Sequence, residues 1–207
     1  MNRAALIIFQ KNAILGKVKT RLAASIGDVQ ALEIYSWLTE YTHQISKQLQ
    51  VDKFLFFSDF IPEDINQLPQ WFQLEVQSGG NLGDRMKNAF GHLHAKGYTR
   101  IVIIGTDCPD LKANDLNNAF LTLSQSSLVF GPAQDGGYYL LGMQGFFPEL
   151  FDEIPWSTEK VLELTSSKAD RLNLNYEFLE IYSDIDNIDD WESFKARNNM
   201  VLENDPK

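Results

Sequence analysis

The chain has 207 residues, of which 44% are hydrophobic and 22% charged, and a formal net charge of -10. Such a length buries a substantial core as one domain without metal or disulfide staples. The only cysteine, Cys108, excludes an intrachain disulfide and fits a reducing cytosol. The acidic balance argues against nucleic acid or an anionic membrane as partner, because both are polyanions, so an anionic ligand would need a local group of cations.

The first apolar run, "AALIIF" (Ala4–Phe9), is too short for a signal-peptide core or a bilayer span. It reads as a strand covered on both faces, in a cytoplasmic protein without membrane insertion. "QKNAILGKVKTRLA" follows, where Gly16 permits a tight turn and Lys17, Lys19 and Arg21 lead into a short helix over Thr20–Ala24. A glycine turn, cations and a helix start suit a phosphate, although a solvated basic loop has the same composition. Neither a Walker A loop nor a G-x-G-x-x-G dinucleotide fingerprint is present.

A long helix follows, with Asp28 as N-cap and Val29, Leu32, Tyr35 and Leu38 at helical spacing. "KFLFFS" (Lys53–Ser58) and the more exposed "FQLEVQ" (Phe72–Gln77) read as strands. "SGGNLGDRMKNAF" then turns through Gly79, Gly80 and Gly83 into a helix closed by Gly97, with Arg85 and Lys87 in its first turns. Its amides suit a base or a phosphate, or the turn is an ordinary strand–helix connection.

"RIVIIGTD" (Arg100–Asp107) is the clearest buried strand. Asp107 at its end is placed to hold Mg²⁺ against a ligand phosphate, or to serve as a turn or cap residue. Cys108 lacks a neighbouring histidine to activate it and reads as a small buried apolar residue. Asp110 is a second carboxylate or a cap for the next helix, "DLNNAFLTL". The strand "SLVFGP" then turns at Asp135, Gly136 and Gly137 into "GGYYLLGM". Asp-Gly is a hairpin signal, and the same residues permit close approach of a sugar or other acceptor.

Ser157 opens a capping-box pattern before the helix "STEKVLELTSSKA". An extended stretch ends in "DIDN", where Asp184 and Asp186 fall on one side, two residues apart, able to complete a metal site with Asp107. Asn187 or Asp189 caps the last helix. His43, His92 and His94 lack metal-ligand spacing and read as structural or exposed, so zinc is not expected, and no G-x-S-x-G elbow is present. Strands alternating with helices define an α/β fold with a mostly parallel central sheet and helices on both faces. One domain over 1–207 is expected, its last residues, about 199–207, frayed. Ligands in such sheets bind past the carboxyl ends of the strands.

Taken in order, "LIIFQKNAILGKVKTRLA", "GGNLGDRMKNAF", "IVIIGTDCPDL", "GPAQDGGYYLLG", "FDEIPWSTEKVL" and "DIDNIDDWESF" resemble the bacterial family DUF2064, described as glycosyltransferases or nucleotide-diphospho-sugar transferases of the GT-A fold. The resemblance spans about Leu6 to Phe194. The wider superfamily includes nucleotidyltransferases with a G-x-x-K-x-R-L-like loop, matched by Gly16, Lys19, Arg21 and Leu22, and a late D-[IV]-D, matched by Asp184–Ile185–Asp186. Relatives carry prolines in the first loop; Asn12–Ala13–Ile14–Leu15 replaces them here, and a less stiff loop is expected.

The resemblance implies a transferase dependent on Mg²⁺ or Mn²⁺, with a nucleotide or nucleotide-sugar donor and a small-molecule acceptor. The donor nucleotide and its phosphates would fall to Gly16, Lys17, Lys19, Arg21, Gly80, Asp84 and Arg85, and the metal to Asp107, Asp186 and Asp184. Asp107, Lys19 and Asp135 would carry the chemistry, with Asp135 orienting or deprotonating the acceptor. Gly136, Gly137, Tyr138, Trp156, Ser157 and Thr158 would line the acceptor side. Glycosyl transfer and nucleotidyl transfer with pyrophosphate release both remain open, as does a nucleotide-binding module without catalysis. The oligomeric state is not read from the sequence.

Overall fold

Strand β1 (Arg3–Gln10) lies inside a seven-stranded sheet, and its apolar run is buried because each face meets a different layer of helices. We describe residues 3–65 and 68–198 of the computed structural model, so the tail expected to fray lies outside the described residues. After β1 come α1 (Thr20–Ile26), α2 (Asp28–Lys47), β2 (Asp52–Phe57), β3 (Phe72–Val76), α3 (Leu82–Ala95) and β4 (Tyr98–Ile104). They are followed by α4 (Ala113–Thr122), β5 (Leu128–Pro132), β6 (Tyr138–Gln144), α5 (Val161–Arg171), β7 (Tyr176–Phe178) and α6 (Ile188–Asn198).

The strand order is β3-β2-β1-β4-β6-β5-β7. β1 runs parallel to both β2 and β4, and only β6 runs against its two neighbours. Ala5 and Ile7 of β1 pack with Met86, Phe90 and Leu93 of α3, and Leu6 and Ile8 pack with Ile45 of α2 and Leu116 and Phe120 of α4. The continuous apolar run thus follows from period-two alternation between two buried faces. Each such fully buried Leu or Ile contributes about 1.5–3 kcal/mol. A third cluster, with Leu22, Leu38, Ile185, Trp191 and Phe194, ties α1, α2 and α6 together beside the sheet.

Two expected caps are not formed. Gly27 is the N-cap of α2 and Asp28 its first helical residue, its carboxylate turned toward Gly16 instead. α5 starts at Val161, after an N-cap at Lys160 without a side-chain bond; Ser157 sits upstream in the left-handed region, φ 65°. Asn187 does cap α6, accepting from the backbone of Asp189 and Asp190, and Asp190 Oδ2 in turn accepts from the amides of Asp186 and Asn187.

Chain order reverses at β1, with β2 on one side and β4 on the other, which makes the carboxyl edge between β1 and β4 the switch point where ligands bind. Because β6 is antiparallel, its amino end, with the turn from β5, opens onto the same edge. Among the described residues no helix is long and apolar enough to cross a membrane.

Candidate active site

A cleft of about 850 Å³ opens at this edge. Its lining divides into a wall from the β1–α1 loop and the start of α3, a floor from the end of β4 and the D-I-D segment, and a second wall from the β5–β6 turn and the loop before α5.

The first loop is held by side chains rather than by prolines. Buried Asn12 donates from Nδ2 to the Phe60 carbonyl at 2.8 Å and accepts at Oδ1 from the Asp59 amide at 3.1 Å. Its own N–H donates to Ser58 Oγ at 3.2 Å, and Tyr35 Oη donates to the Lys11 carbonyl at 2.8 Å. Asn12 thus ties the start of this loop, where the sequence lacks prolines, to the loop after β2. Gly16 turns the chain at φ 72°, a conformation in which a side chain is strained. Lys19 follows in the left-handed region, φ 47°, immediately before α1.

That turn sends the Lys19 side chain inward, where it is only 5% exposed. Its ammonium lies 2.5 Å from Asp107 Oδ1, donates to the Ile185 carbonyl at 2.5 Å and stands 3.7 Å from Asp186 Oδ1. Arg21, mostly in solvent, approaches the other Asp186 oxygen at 3.5 Å. Asp107 stands three residues past β4, and its carbonyl accepts from the Ile185 amide at 2.9 Å. Ile185 is buried in the α1–α2–α6 cluster and so fixes the D-I-D segment, with Asp184 and Asp186 both lining the cleft. Burial, together with the nearby Asp107 charge, pushes the Asp184 carboxyl up to about 7.

Asp107 and Asp186 thus reach one cation, and their oxygens are of the hard type that Mg²⁺ or Mn²⁺ takes. Mg²⁺ is commonly held by one or two carboxylates plus substrate phosphates and waters. The donor set fits such an ion. Among the described residues no three His, Cys, Asp or Glu side chains form a closed metal cage. Asp110 is not a partner of Asp107: it accepts from Arg197 at 2.8 Å, and it does not cap α4, whose N-cap is Lys112. Cys108 is buried and its thiol is pushed up by that burial, as its apolar reading expects.

The second wall is built by close packing. A Cβ on Gly83, in the first turn of α3, would overlap the Trp156 indole, which also stacks on Phe151 at 6.2 Å. A Cβ on Gly136 would overlap the Glu159 backbone, and the Leu162 amide donates to the Gly136 carbonyl at 3.0 Å. The β5–β6 turn and the loop before α5 therefore form one surface. Asp135 lines the cleft there and accepts from the Gly137 amide at 2.9 Å.

Of the expected residues, Lys19, Arg21, Gly80, Arg85, Asp107, Asp135, Gly137, Tyr138, Trp156, Ser157, Thr158, Asp184 and Asp186 line the cleft. Gly16, Lys17, Asp84 and Gly136 do not. Lys17 is exposed, and Asp84 is engaged in a capping box with Asn81 at the start of α3. Lys11, Tyr35, Gln77, Asn81, Thr106 and Glu159 also line the cleft and were missed by the sequence reading. Only position signalled them: each stands just past a strand, before a helix or on a helix facing the edge, with no motif of its own.

The fold is that of nucleotide-diphospho-sugar transferases and cytidylyltransferases. A candidate nucleotide-diphospho-sugar transferase from Desulfovibrio desulfuricans G20 is 30% identical, with a TM-score of 0.89, over 96% of this chain and 88% of that one. The CMP:2-keto-3-deoxy-manno-octonic acid synthetase complexed with CTP shares the fold at 9% identity, with a TM-score of 0.59 over 95% and 98% of the two chains. Rv0371c from Mycobacterium tuberculosis H37Rv, complexed with manganese, does so at 13% identity, with a TM-score of 0.52 over 92% and 97%. No curated protein matched the sequence. Residues 41–158 match the model of DUF2064, an uncharacterized protein conserved in bacteria, and the chain belongs to that family.

Proposed function

We propose that the protein is a metal-dependent transferase that binds a nucleotide or nucleotide-diphospho-sugar and transfers the glycosyl group to a small acceptor. The observation that carries this reading is the junction of Lys19 with Asp107 and Asp186 at the switch point between β1 and β4. There the one buried cation of the basic loop faces two carboxylates inside a single cleft. One protein of this fold was solved with CTP and another with manganese, ligands of the two kinds that this reading calls for.

In this reading Asp107 and Asp186, with Asp184 beside them, hold Mg²⁺ or Mn²⁺. The ion supplies charge neutralisation for the donor diphosphate. Lys19 and Arg21 offset the negative charge that grows on the leaving diphosphate, the fixed electrostatic assistance that such departures need. An acceptor hydroxyl oxygen forms the new bond to the anomeric carbon as the bond to the diphosphate oxygen breaks. The electron pair leaves with the nucleoside diphosphate, and the acceptor proton passes to Asp135. Arg85, with Nη1 3.4 Å from Gln77 Oε1, and the Gly80–Asn81 turn face the nucleoside.

A second reading, nucleotidyl transfer, is favoured by a specific observation. Asp110 is committed to Arg197, so the D-C-P-D segment presents one carboxylate to the cleft rather than a pair. An acceptor oxygen would then attack the α-phosphate and pyrophosphate would leave. Incubation with Mg²⁺, a panel of nucleotide sugars and nucleoside triphosphates, and an acceptor library separates the two. Release of nucleoside diphosphate supports the first reading and release of pyrophosphate the second. Release of neither points to a binding module without catalysis.

A further inference from the structure

The charges of the cleft are segregated, and this segregation bears on the acceptor. All four cations in the lining, Lys11, Lys19, Arg21 and Arg85, come from the chain before β4. The wall from the β5–β6 turn to the start of α5 contributes Asp135, Glu159 and Ser157 beside the aromatic rings of Tyr138 and Trp156. That wall contributes no lysine or arginine to the lining, and Lys160, next to Glu159, does not line the cleft. Lys87, on the adjoining helix, is taken up by Asp152 at 2.8 Å. Gly136 packs on the Glu159 backbone, which ties the turn that carries Asp135 to the segment that carries Glu159.

We propose that the acceptor is an uncharged polyol, a sugar ring without phosphate or carboxylate, received on the Trp156–Tyr138 side with its hydroxyls toward Asp135 and Glu159. A phosphorylated acceptor would bring its charge against two carboxylates on a wall that contributes no cation, a repulsion that selects against it. A neutral ring offers C–H faces to the aromatic wall and hydroxyl donors to the carboxylates, which is how mostly apolar sites with a few polar groups fix orientation. This inference rests on the reading of the opposite wall as the donor side, and it favours glycosyl transfer over transfer to a phosphate.

Calorimetric titration tests it with the full-length protein, Mg²⁺ and a saturating nucleoside diphosphate. Methyl glycosides are compared with the phosphate esters of the same sugars. At least one neutral glycoside should bind, with its phosphate ester at least tenfold weaker. Glu159→Lys, an exposed position that should not disturb folding, should close that gap, and Asp135→Asn should narrow it. A phosphate ester that binds as tightly as its neutral parent, the absence of binding by every neutral glycoside, or an unchanged gap in Glu159→Lys would overturn the proposal. Nucleotide binding is scored first in the same samples, so failure of the donor reading shows as loss of that signal and failure of the acceptor proposal shows while it persists.

Discussion

Lys19 Nζ stands 2.5 Å from Asp107 Oδ1, although the two residues belong to loops at the ends of different strands, β1 and β4. Because Asp186 approaches the same ammonium, Lys19 does in the free protein part of what a divalent ion would do. Lys19→Met removes the cation and leaves the carboxylates facing one another. We expect a loss of about 1–3 kcal/mol, less than for a fully buried pair because Asp107 is half exposed. Added Mn²⁺ should restore the melting temperature of this variant more than it raises that of the wild type. Equal Mn²⁺ shifts would show that the ion is not held where the ammonium lies.

Asn12 is the next test, because it ties the start of the first loop to the loop after β2. Its buried side chain donates to the Phe60 carbonyl and accepts from the Ser58 hydroxyl and the Asp59 and Phe60 amides, all in the loop after β2. Asn12→Ala leaves the Asp59 N–H and the Phe60 carbonyl without this partner and should cost about 1–3 kcal/mol in denaturant unfolding. Nucleotide affinity should fall as well, because the loop that carries Lys19 is no longer pinned. An unchanged affinity would mean that the loop is positioned by Tyr35 and Gly16 alone.

The packing of the second wall gives a contrast between two glycines. Gly83→Ala meets the Trp156 ring, which can swing away, whereas Gly136→Ala meets the Glu159 backbone and starts from φ 86°. Both variants should be destabilised, Gly136→Ala the more, on the order of 2–3 kcal/mol. Gly83→Ala should shift the tryptophan emission with the smaller loss of stability. If the two melt alike and the emission is unchanged, Trp156 is not held by this contact.

Acid should weaken the fold through His43. The ring is buried, its Nε2 lies 2.9 Å from Oε1 of the cleft residue Gln10, and burial pushes its pKa from 6.5 down to about 4. Between those values the unfolded chain binds more protons than the folded one, so stability falls as pH falls. This contribution is complete above about pH 6.5 and is lost on descending to about pH 4, up to ~3 kcal/mol. His43→Gln should flatten the stability curve across that window. A curve with the wild-type slope would place the acid sensitivity elsewhere.

The strands and the edge were legible in the sequence, and the reasons are physical. "AALIIF" and "IVII" are apolar at successive positions because helices cover both faces of their strands, and the Asp135–Gly136 turn marked the entry to the one reversed strand of the sheet. Asp107, Asp186, Lys19 and Arg21 were legible as residues just past strands. What was not legible depended on partners distant in the chain. Asn12 meets Asp59 and Phe60, Asp110 meets Arg197, and Glu159 meets Gly136 across a turn. Ser157 shows the converse, a local capping pattern set aside because the tertiary packing of its loop holds it at φ 65°.

In the proposed function Asp107 couples a divalent cation to a nucleotide at this edge. Isothermal titration of a nucleoside diphosphate panel into wild type and Asp107→Asn, with Mg²⁺ or with chelator, tests it most directly. The account predicts a nucleotide that binds the wild type at least tenfold more tightly with Mg²⁺, and that this gain disappears in Asp107→Asn. Binding that is equally tight in chelator, or a Mg²⁺ gain that survives in the variant, would contradict it.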